Sequence, residues 1–358
     1  MKSYDVVRFK PNALILGTSR ADYGLDAQHP AWPSKVSPVY NLALQGAGPY
    51  MSYRYLQHVL SQRRLALVVM GLDFEYFVKF GDSDQRNQEP AGHSFMEYES
   101  RLATTREGLP NPLQYSQHLE DVLRAFSFST LEASASTVSG NMASESWDMV
   151  SGNLMPDRNG RRMSLQEVTY YNLGSIQALR GTSKTAKLDE SAFDRLKSIL
   201  DLCSSHGVRV ILFISPAHVD VLETLDRVGL WPVLEDWKRE TTALTAEYSG
   251  AHHAAQVSLW DFNGYNSLSM ESISLTQHPP DTYFDISHYG RVVGDAIIER
   301  IFERGDPNFG IRLSPESIEP HLVTIRNQQR LYREHHWIDA QRVSDLHRAI
   351  EESYPNKK

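Results

Sequence analysis

Residues 13–26, ALILGTSRADYGLD, place a short apolar run directly before a glycine and a serine. The run over residues 13–16 has the length and composition of a buried strand, and Gly17 allows the backbone to turn sharply after it. Ser19 then follows the carboxyl end of a strand, where α/β proteins bind their ligands. Two interpretations stay open: Ser19 is a nucleophile presented at the end of the strand, or it is an ordinary serine that begins a turn.

Further apolar runs repeat this pattern along the chain. The runs VYNLAL (39–44) and LALVVMGL (65–72) predict two more buried strands, and the helical spacing of residues 50–64 between them predicts a β-α-β unit. The pattern resumes later with a helix ending at Gly207, a strand at 208–215, a helix at 234–248, a strand at 256–260 and a last helix at 290–302. The alternation predicts a doubly wound, parallel α/β sheet.

The rest of the chain departs from this alternation. Residues 80–190 are rich in polar residues, with helical pieces at 113–126 and 128–138, and we interpret them as an insertion that forms a lid or a groove wall. We therefore predict one α/β domain over residues 1–310. A helical C-terminal extension over residues 311–358 follows it.

Composition limits the function. The chain has 358 residues, 41% of them apolar, and a net charge of −8, so we expect no nucleic-acid partner. The single cysteine, Cys203, excludes an intrachain disulfide and suits a buried position in a helix. No apolar run reaches the length of a membrane span. We expect a bacterial periplasmic or membrane-associated protein if an N-terminal anchor has been removed, and a cytoplasmic one otherwise.

Four short blocks stand where loops leave strand ends: GTSR (17–20), NLALQGAG (41–48), MGLD (70–73) and DISH (285–288). Within one tight turn, Asp285 can accept a hydrogen bond from one ring nitrogen of His288 and leave the other nitrogen facing a serine. The glycines of the second block can turn backbone N–H groups toward a developing negative charge. His288 could instead cap the last helix.

Together these blocks resemble the SGNH (GDSL-type) hydrolase superfamily, over roughly residues 10–78 and 190–304. The resemblance implies a flavodoxin-like doubly wound sheet, Ser19 as the nucleophile, His288 as the general base and Asp285 as its partner. It also implies an oxyanion hole from the backbone of Ser19 or Arg20 and of Gly46. Within this superfamily, the motif sequences are more similar to those of bacterial SGNH-like acetyltransferases and esterases that modify exopolysaccharides.

Asp73 departs from the family pattern, which supplies an asparagine amide at this position as an oxyanion donor. An ionised carboxylate only accepts hydrogen bonds and repels an oxyanion. Asp73 is therefore neutral, or another group supplies the donor, or ester hydrolysis is weak. Asp73 could also simply bond backbone N–H groups of its own loop. If a donor is missing, Asp73→Asn should raise hydrolysis.

Three further residues are candidates for binding substrate. Trp260 and Asn263 offer aromatic and polar groups suited to a sugar face, although aromatic packing at a strand end is an equal interpretation. His218 follows a strand and either lines the pocket or begins a turn and a helix. We expect no metal and no organic cofactor, because the chain lacks metal-ligand spacing and phosphate-binding glycine motifs.

The expected function is that of a serine-dependent esterase or O-acyltransferase, acting on O-acetyl groups of a bacterial polysaccharide. The expected partners are the acylated sugar and a membrane-bound acyl donor or polysaccharide-synthesis protein. The alternative is a catalytically weak or inactive subunit that binds polysaccharide or other proteins. An α/β-hydrolase also orders its triad Ser, Asp, His, but position 21 is Ala where that fold's nucleophile turn has glycine.

Overall fold

The computed structural model describes residues 2–81, 98–125, 146–147, 154–155, 183–249, 256–271 and 282–353. Over these residues the chain forms an α/β structure around a six-stranded, mostly parallel sheet. Among the described helices, none has the length and apolar character needed to cross a membrane.

The central sheet is built from strands that come from both halves of the chain. Its strands are β1 (Ala13–Leu16), β2 (Val39–Asn41), β3 (Leu67–Leu72), β8 (Arg209–Ile214), β9 (Val257–Asp261) and β10 (Ile311–Leu313). Their order is β2-β1-β3-β8-β9-β10, and all neighbours are parallel except the pair of β10 with β9. The first five strands thus follow the order of doubly wound sheets of the flavodoxin type, with the topological switch point beside β1.

Two short antiparallel pairs lie outside the central sheet. They are β4 (Val78–Phe80) with β7 (Ala186–Leu188), and β5 (Ser146–Trp147) with β6 (Leu154–Met155). The first pair joins the two ends of the predicted insertion.

Helices cover both faces of the sheet. They are α1 (Lys2–Phe9), α2 (Ser19–Gly24), α3 (Pro49–Leu60), α4 (Gln114–Ala125), α5 (Glu190–Ser205), α6 (Val219–Arg227), α7 (Trp231–Ser249), α8 (Arg291–Ile301), α9 (Ile318–His335) and α10 (Trp337–Ser353). β1 shows how the two cores arise, because Leu14 and Leu16 pack into the core beneath α3, α5 and α7. Ile15 points to the opposite face and packs into the core beneath α2 and α8.

The predicted strands and the β-α-β unit are confirmed, although β2 and β3 are shorter than expected: β3 begins at Leu67. β2 ends at Asn41, and Leu42–Leu44 continue as a loop whose amides bond the carbonyls of Ile15 and Gly17. Cys203 is buried in α5, as predicted, and burial raises the pKa of its thiol to about 12. The sequence did not predict α1.

The described part of the insertion packs beside α3. The predicted helix at 113–126 is present as α4, whereas the predicted piece at 128–138 lies outside the described residues. Arg54 of α3 donates to the carbonyls of Thr104 and Thr105, at 2.7 and 2.8 Å. Residues 98–125 therefore form part of a wall on the α3 side of the sheet.

The C-terminal residues are integral to the sheet and its helical layer. The predicted boundary at residue 310 falls immediately before β10, which pairs with β9 and closes that edge of the sheet. α9 and α10 then pack over α6 and α7, with Arg333 bonded to Glu223 at 2.9 Å and Arg342 to Asp220 at 2.7 Å. The helical extension expected over residues 311–358 is thus present as α9 and α10, packed on this same chain.

Candidate active site

Ser19 lies at the carboxyl edge of the sheet, at the start of α2. The preceding Gly17 has φ +141°, and a Cβ there would lie 3.0 Å from Ala21 Cβ and 3.4 Å from Gly71 O. Thr18 is the N-cap of α2, and its hydroxyl accepts a hydrogen bond from the Arg20 N–H at 3.3 Å. This tight turn brings the half-buried side chain of Ser19 out at the strand end.

A continuous chain of hydrogen bonds joins Ser19 to His288 and Asp285. Ser19 Oγ lies 2.8 Å from His288 Nε2, and His288 Nδ1 lies 2.7 Å from Asp285 Oδ2. The other oxygen of Asp285 accepts from the backbone N–H groups of Ser287 and His288, at 2.7 and 2.8 Å. An ionised Asp285 accepts from Nδ1–H, which leaves Nε2 as an acceptor for the serine proton.

Asp285 stays ionised because its hydrogen bonds outweigh its burial. Burial alone raises the pKa of this carboxyl, but the His288 ring and the two backbone N–H groups hold its pKa below the ordinary value. The same bonds fix the His288 ring, whose edge also contacts the Tyr23 ring with centroids 5.4 Å apart. His288 is therefore oriented by Asp285. It does not cap the last helix, because the N-cap residue of α8 is Gly290.

Two glycines hold α2 and α8 in close contact. A Cβ at Gly294 would lie 1.9 Å from the Gly24 carbonyl oxygen, and a Cβ at Gly24 would lie 2.0 Å from the Tyr289 ring. Ser19 begins α2, and His288 lies three residues before Arg291, the first residue of α8. The close approach of these helices therefore supports the distance between the serine and the histidine. Sequence reasoning missed this role, although a glycine inside each of the two helices was a visible signal.

Asp73 is buried, and both of its oxygens are engaged. The Thr18 hydroxyl donates to Oδ2, and the Arg20 guanidinium lies 3.3 Å from Oδ1. Arg20 also pairs with Glu75 at 2.9 Å. Burial lowers the pKa of Arg20, but Glu75 and Asp73 more than compensate and hold it above the usual value. Asp73 thus anchors the residues on either side of Ser19.

Gly46 lies in an exposed part of the loop after β2. Its φ of +69° is readily adopted only by glycine, and no heavy atom lies within 4 Å of where a Cβ would be. The loop is fixed beside the serine turn, since Leu44 N donates to Gly17 O at 3.0 Å. The fully buried Asn41 adds a second link by donating to the carbonyls of Ala21 and Leu25. The oxyanion role of Gly46 and of the Arg20 backbone stays a prediction.

The three predicted substrate-binding residues have different surroundings in the described part of the chain. Trp260 is only 4% exposed, packed in the core with the Arg300 guanidinium 4.7 Å above its ring. His218 is also buried, where Nδ1 accepts from Asp220 N and Nε2 lies 2.8 Å from Glu271 O, so it caps α6. For both residues the structural alternative is the one observed: Trp260 packs in the core, and His218 begins a helix. A strand end does not fix which face a side chain takes. Asn263 lines the cavity described next.

A cavity of about 220 Å³ lies beside the Ser19 turn, at the carboxyl ends of β3, β8 and β9. Arg20 and Ser287 form part of its wall, and they adjoin Ser19 and His288 in the chain. Its other walls are mainly apolar side chains, including Phe74, Leu234 and Trp237. This is the position at which doubly wound proteins bind their ligands.

No known protein-family model and no curated protein sequence matches this chain. Its functional interpretation therefore depends on the arrangement of Ser19, His288 and Asp285 and on the surroundings of these residues. Among the described residues, no group of three or more His, Cys, Asp or Glu side chains is placed to hold a metal ion.

Proposed function

We propose that this protein is a serine-dependent esterase or O-acyltransferase of the SGNH type. The observation that carries the proposal is the continuous chain from Ser19 through His288 to Asp285, at 2.8 and 2.7 Å. A serine hydroxyl is a weak nucleophile until an adjacent base accepts its proton, and that base needs a third group to orient it. All three functions are supplied here by residues that lie at the carboxyl edge of the sheet.

The proposed reaction proceeds through an acyl-enzyme. Ser19 Oγ attacks the carbonyl carbon of an acyl ester while its proton moves to His288 Nε2. The tetrahedral intermediate collapses, the ester C–O bond breaks, and His288 returns the proton to the departing alkoxide. Water or a second hydroxyl then attacks the acyl-enzyme with His288 again as the base. Asp285 remains ionised throughout and stabilises the imidazolium.

The oxyanion is proposed to be bound by backbone N–H groups. The candidates are the amides of Ser19 or Arg20 and of Gly46, since Asp73 offers no donor while it accepts from Thr18 and Arg20. The Arg20 charge offsets the charge of Asp73, which reduces the repulsion that an isolated carboxylate would exert on an oxyanion.

The alcohol side of the substrate is proposed from the family resemblance. The motifs GTSR, NLALQGAG and FDISHYG resemble those of bacterial proteins that add or remove acetyl groups on exopolysaccharides. On this basis the alcohol is a sugar hydroxyl of a polysaccharide, and the acyl donor is presented by a membrane-bound partner protein.

A fluorophosphonate probe tests the proposal directly. We expect mass spectrometry to place the adduct on Ser19, with no labelling of Ser19→Ala and reduced labelling of His288→Ala. Ser198→Ala is a matched control, because Ser198 is a partly exposed serine of α5 whose hydroxyl donates to the Asp194 carbonyl of the same helix. It should label like the unmodified protein.

The second candidate is a binding subunit that retains the fold without efficient chemistry. Asp73 favours it, because a carboxylate occupies the position where the family pattern has an amide donor. Losing one oxyanion donor costs roughly 2.7–4 kcal/mol of transition-state stabilisation. Failure of the well-folded protein to react with the probe would favour this candidate over the enzyme.

A further inference from the structure

The cavity beside Ser19 has predominantly apolar walls. Phe74 follows β3, Ala217 follows β8, Leu234 and Trp237 come from α7, and Ile286 belongs to the turn that carries His288. All of these side chains are buried. An apolar cavity of this kind favours a ligand group that makes few hydrogen bonds.

The walls carry few polar groups, and some of these are occupied by the protein itself. Ser215 Oγ, Trp237 Nε1 and Asn263 Oδ1 are buried without a hydrogen-bond partner among the described residues. Thr224 donates its hydroxyl to Asp220 O at 2.7 Å, and Asn263 donates its amide to Ser215 O at 3.4 Å. Arg20 is held by Asp73 and Glu75. Because most of the wall is apolar, an alkyl chain fits this cavity better than a sugar ring, which needs a partner for each buried hydroxyl.

The cavity is close to the proposed nucleophile and larger than an acetyl group requires. Arg20 and Ser287 belong to its wall and directly adjoin Ser19 and His288 in the chain. An apolar cavity of about 150 Å³ holds a benzene molecule. A cavity of about 220 Å³ can therefore take an alkyl chain of roughly six to eight carbon atoms.

We propose that this cavity binds the acyl chain of the substrate, and that the preferred acyl group is a medium-length alkanoyl chain and not acetyl. The inference rests on the proposed esterase or acyltransferase function, and it changes the acyl group expected from the family resemblance. The carbonyl carbon lies at Ser19, the chain extends between Trp237 and Ile286, and the alcohol stays outside the cavity.

The preferred acyl chain length can be tested with a series of p-nitrophenyl esters from acetyl to dodecanoyl. Ser19→Ala serves as the blank. We expect kcat/KM to rise by about fourfold for each added methylene until the cavity is full, near six to eight carbons, and then to fall. A rate that is highest with acetyl and falls steadily with length would overturn the inference and leave the esterase function standing.

A cavity-filling variant tests the location. Val221 of α6 lines the cavity, so Val221→Phe should reduce the ratio of hexanoyl to acetyl kcat/KM at least tenfold. Val323→Phe makes the same change at an exposed site on α9, where the side chain is 48% exposed, and should keep the original ratio. Ala217→Leu provides a second obstruction, at another wall of the cavity, if Val221→Phe folds poorly. An unchanged ratio in both cavity variants would place the acyl chain elsewhere.

Direct binding separates failure of the inference from failure of the proposed function. Ser19→Ala cannot form an acyl-enzyme, yet it should bind octanoate at least tenfold more tightly than acetate in calorimetry, and Val221→Phe should weaken this binding. Octanoate binding without fluorophosphonate labelling would support the cavity and reject the enzyme. Labelling of Ser19 without octanoate binding would support the enzyme and reject the cavity as its acyl site.

Discussion

At the scale of single residues, Asp73 links the end of β3 to the turn that carries Ser19. The SGNH resemblance predicts an amide donor at this position, whereas the carboxylate of Asp73 accepts from Thr18 and pairs with Arg20. These residues flank Ser19 on both sides. Asp73 therefore fixes the backbone of the nucleophile turn from the end of the neighbouring strand.

We expect Asp73→Asn to lower activity, contrary to the gain that a missing oxyanion donor would give. The amide leaves the buried Arg20 with Glu75 as its remaining charged partner, at a cost of roughly 1–3 kcal/mol in unfolding free energy. A displaced Ser19 should lower kcat/KM for a short ester by roughly one to two orders of magnitude. Urea denaturation and steady-state kinetics measure the two effects.

Glu75→Gln is the matched control for Asp73→Asn. It also removes a carboxylate partner of Arg20. Glu75 takes no part in the hydrogen bond between Thr18 and Asp73, and its side chain is 42% exposed. We expect a smaller loss of both stability and activity. Faster hydrolysis by Asp73→Asn at unchanged stability would show instead that Asp73 suppresses an otherwise complete oxyanion hole.

The proximity of Ser19, Asp285 and His288 was expected from the resemblance to SGNH hydrolases, together with the Asp-x-x-His spacing before the last helix. Their catalytic roles stay a prediction. Trp260 and His218 stand at strand ends, but their side chains point into the core and toward the start of α6. The side-chain direction depends on contacts from distant segments, such as Arg300 on Trp260 and Glu271 on His218.

At the scale of elements, the sequence predicts the strands of the central sheet better than it predicts short helices. Four consecutive apolar residues suffice to identify β1, whereas α1 has only eight residues. Isolated helices of that length are unstable, so α1 depends on tertiary contacts. Burial of Val6 and the 2.6 Å pair of Lys2 with Asp22 supply them.

The contact between α2 and α8 gives a prediction at this scale. In Gly294→Ala the new methyl group would collide with the Gly24 carbonyl, so the helices must separate. We expect a loss of about 1–3 kcal/mol in unfolding free energy and a lower kcat/KM, because Ser19 and His288 move apart. Thermal denaturation and ester kinetics report these changes.

Gly264→Ala is the control for this substitution. A Cβ at Gly264 would lie 3.7 Å from Ile325 Cγ1, which is an ordinary contact distance. It should leave stability within about 0.5 kcal/mol. Equal effects of the two variants would mean that the packing of α2 on α8 has no special part in aligning the site.

At the scale of the whole molecule, α6 joins the C-terminal helices to the proposed acyl cavity. Val221, Thr224 and Leu225 line the cavity, whereas Asp220 and Glu223 pair with the arginines of α9 and α10. Both carboxylates are fully buried. The C-terminal helices thus neutralise buried charge on α6, the helix that forms one wall of the cavity. The sequence does not predict these ion pairs, because they join residues more than 100 positions apart.

Arg342→Leu tests this connection. The substitution takes a charged partner from the buried carboxylate of Asp220, and we expect a loss of about 3 kcal/mol in unfolding free energy, measured in urea. The double variant Arg342→Leu with Asp220→Asn should regain part of that loss, because it buries one charge fewer. Because α6 contacts α10, the single variant should also show a weaker preference for hexanoyl over acetyl esters.

Arg330→Leu is the control, because it removes a charge from an exposed pair on α9. It should change neither the unfolding free energy nor the preference for hexanoyl esters. Equal effects of Arg342→Leu and Arg330→Leu would show that the C-terminal helices do not support the cavity wall.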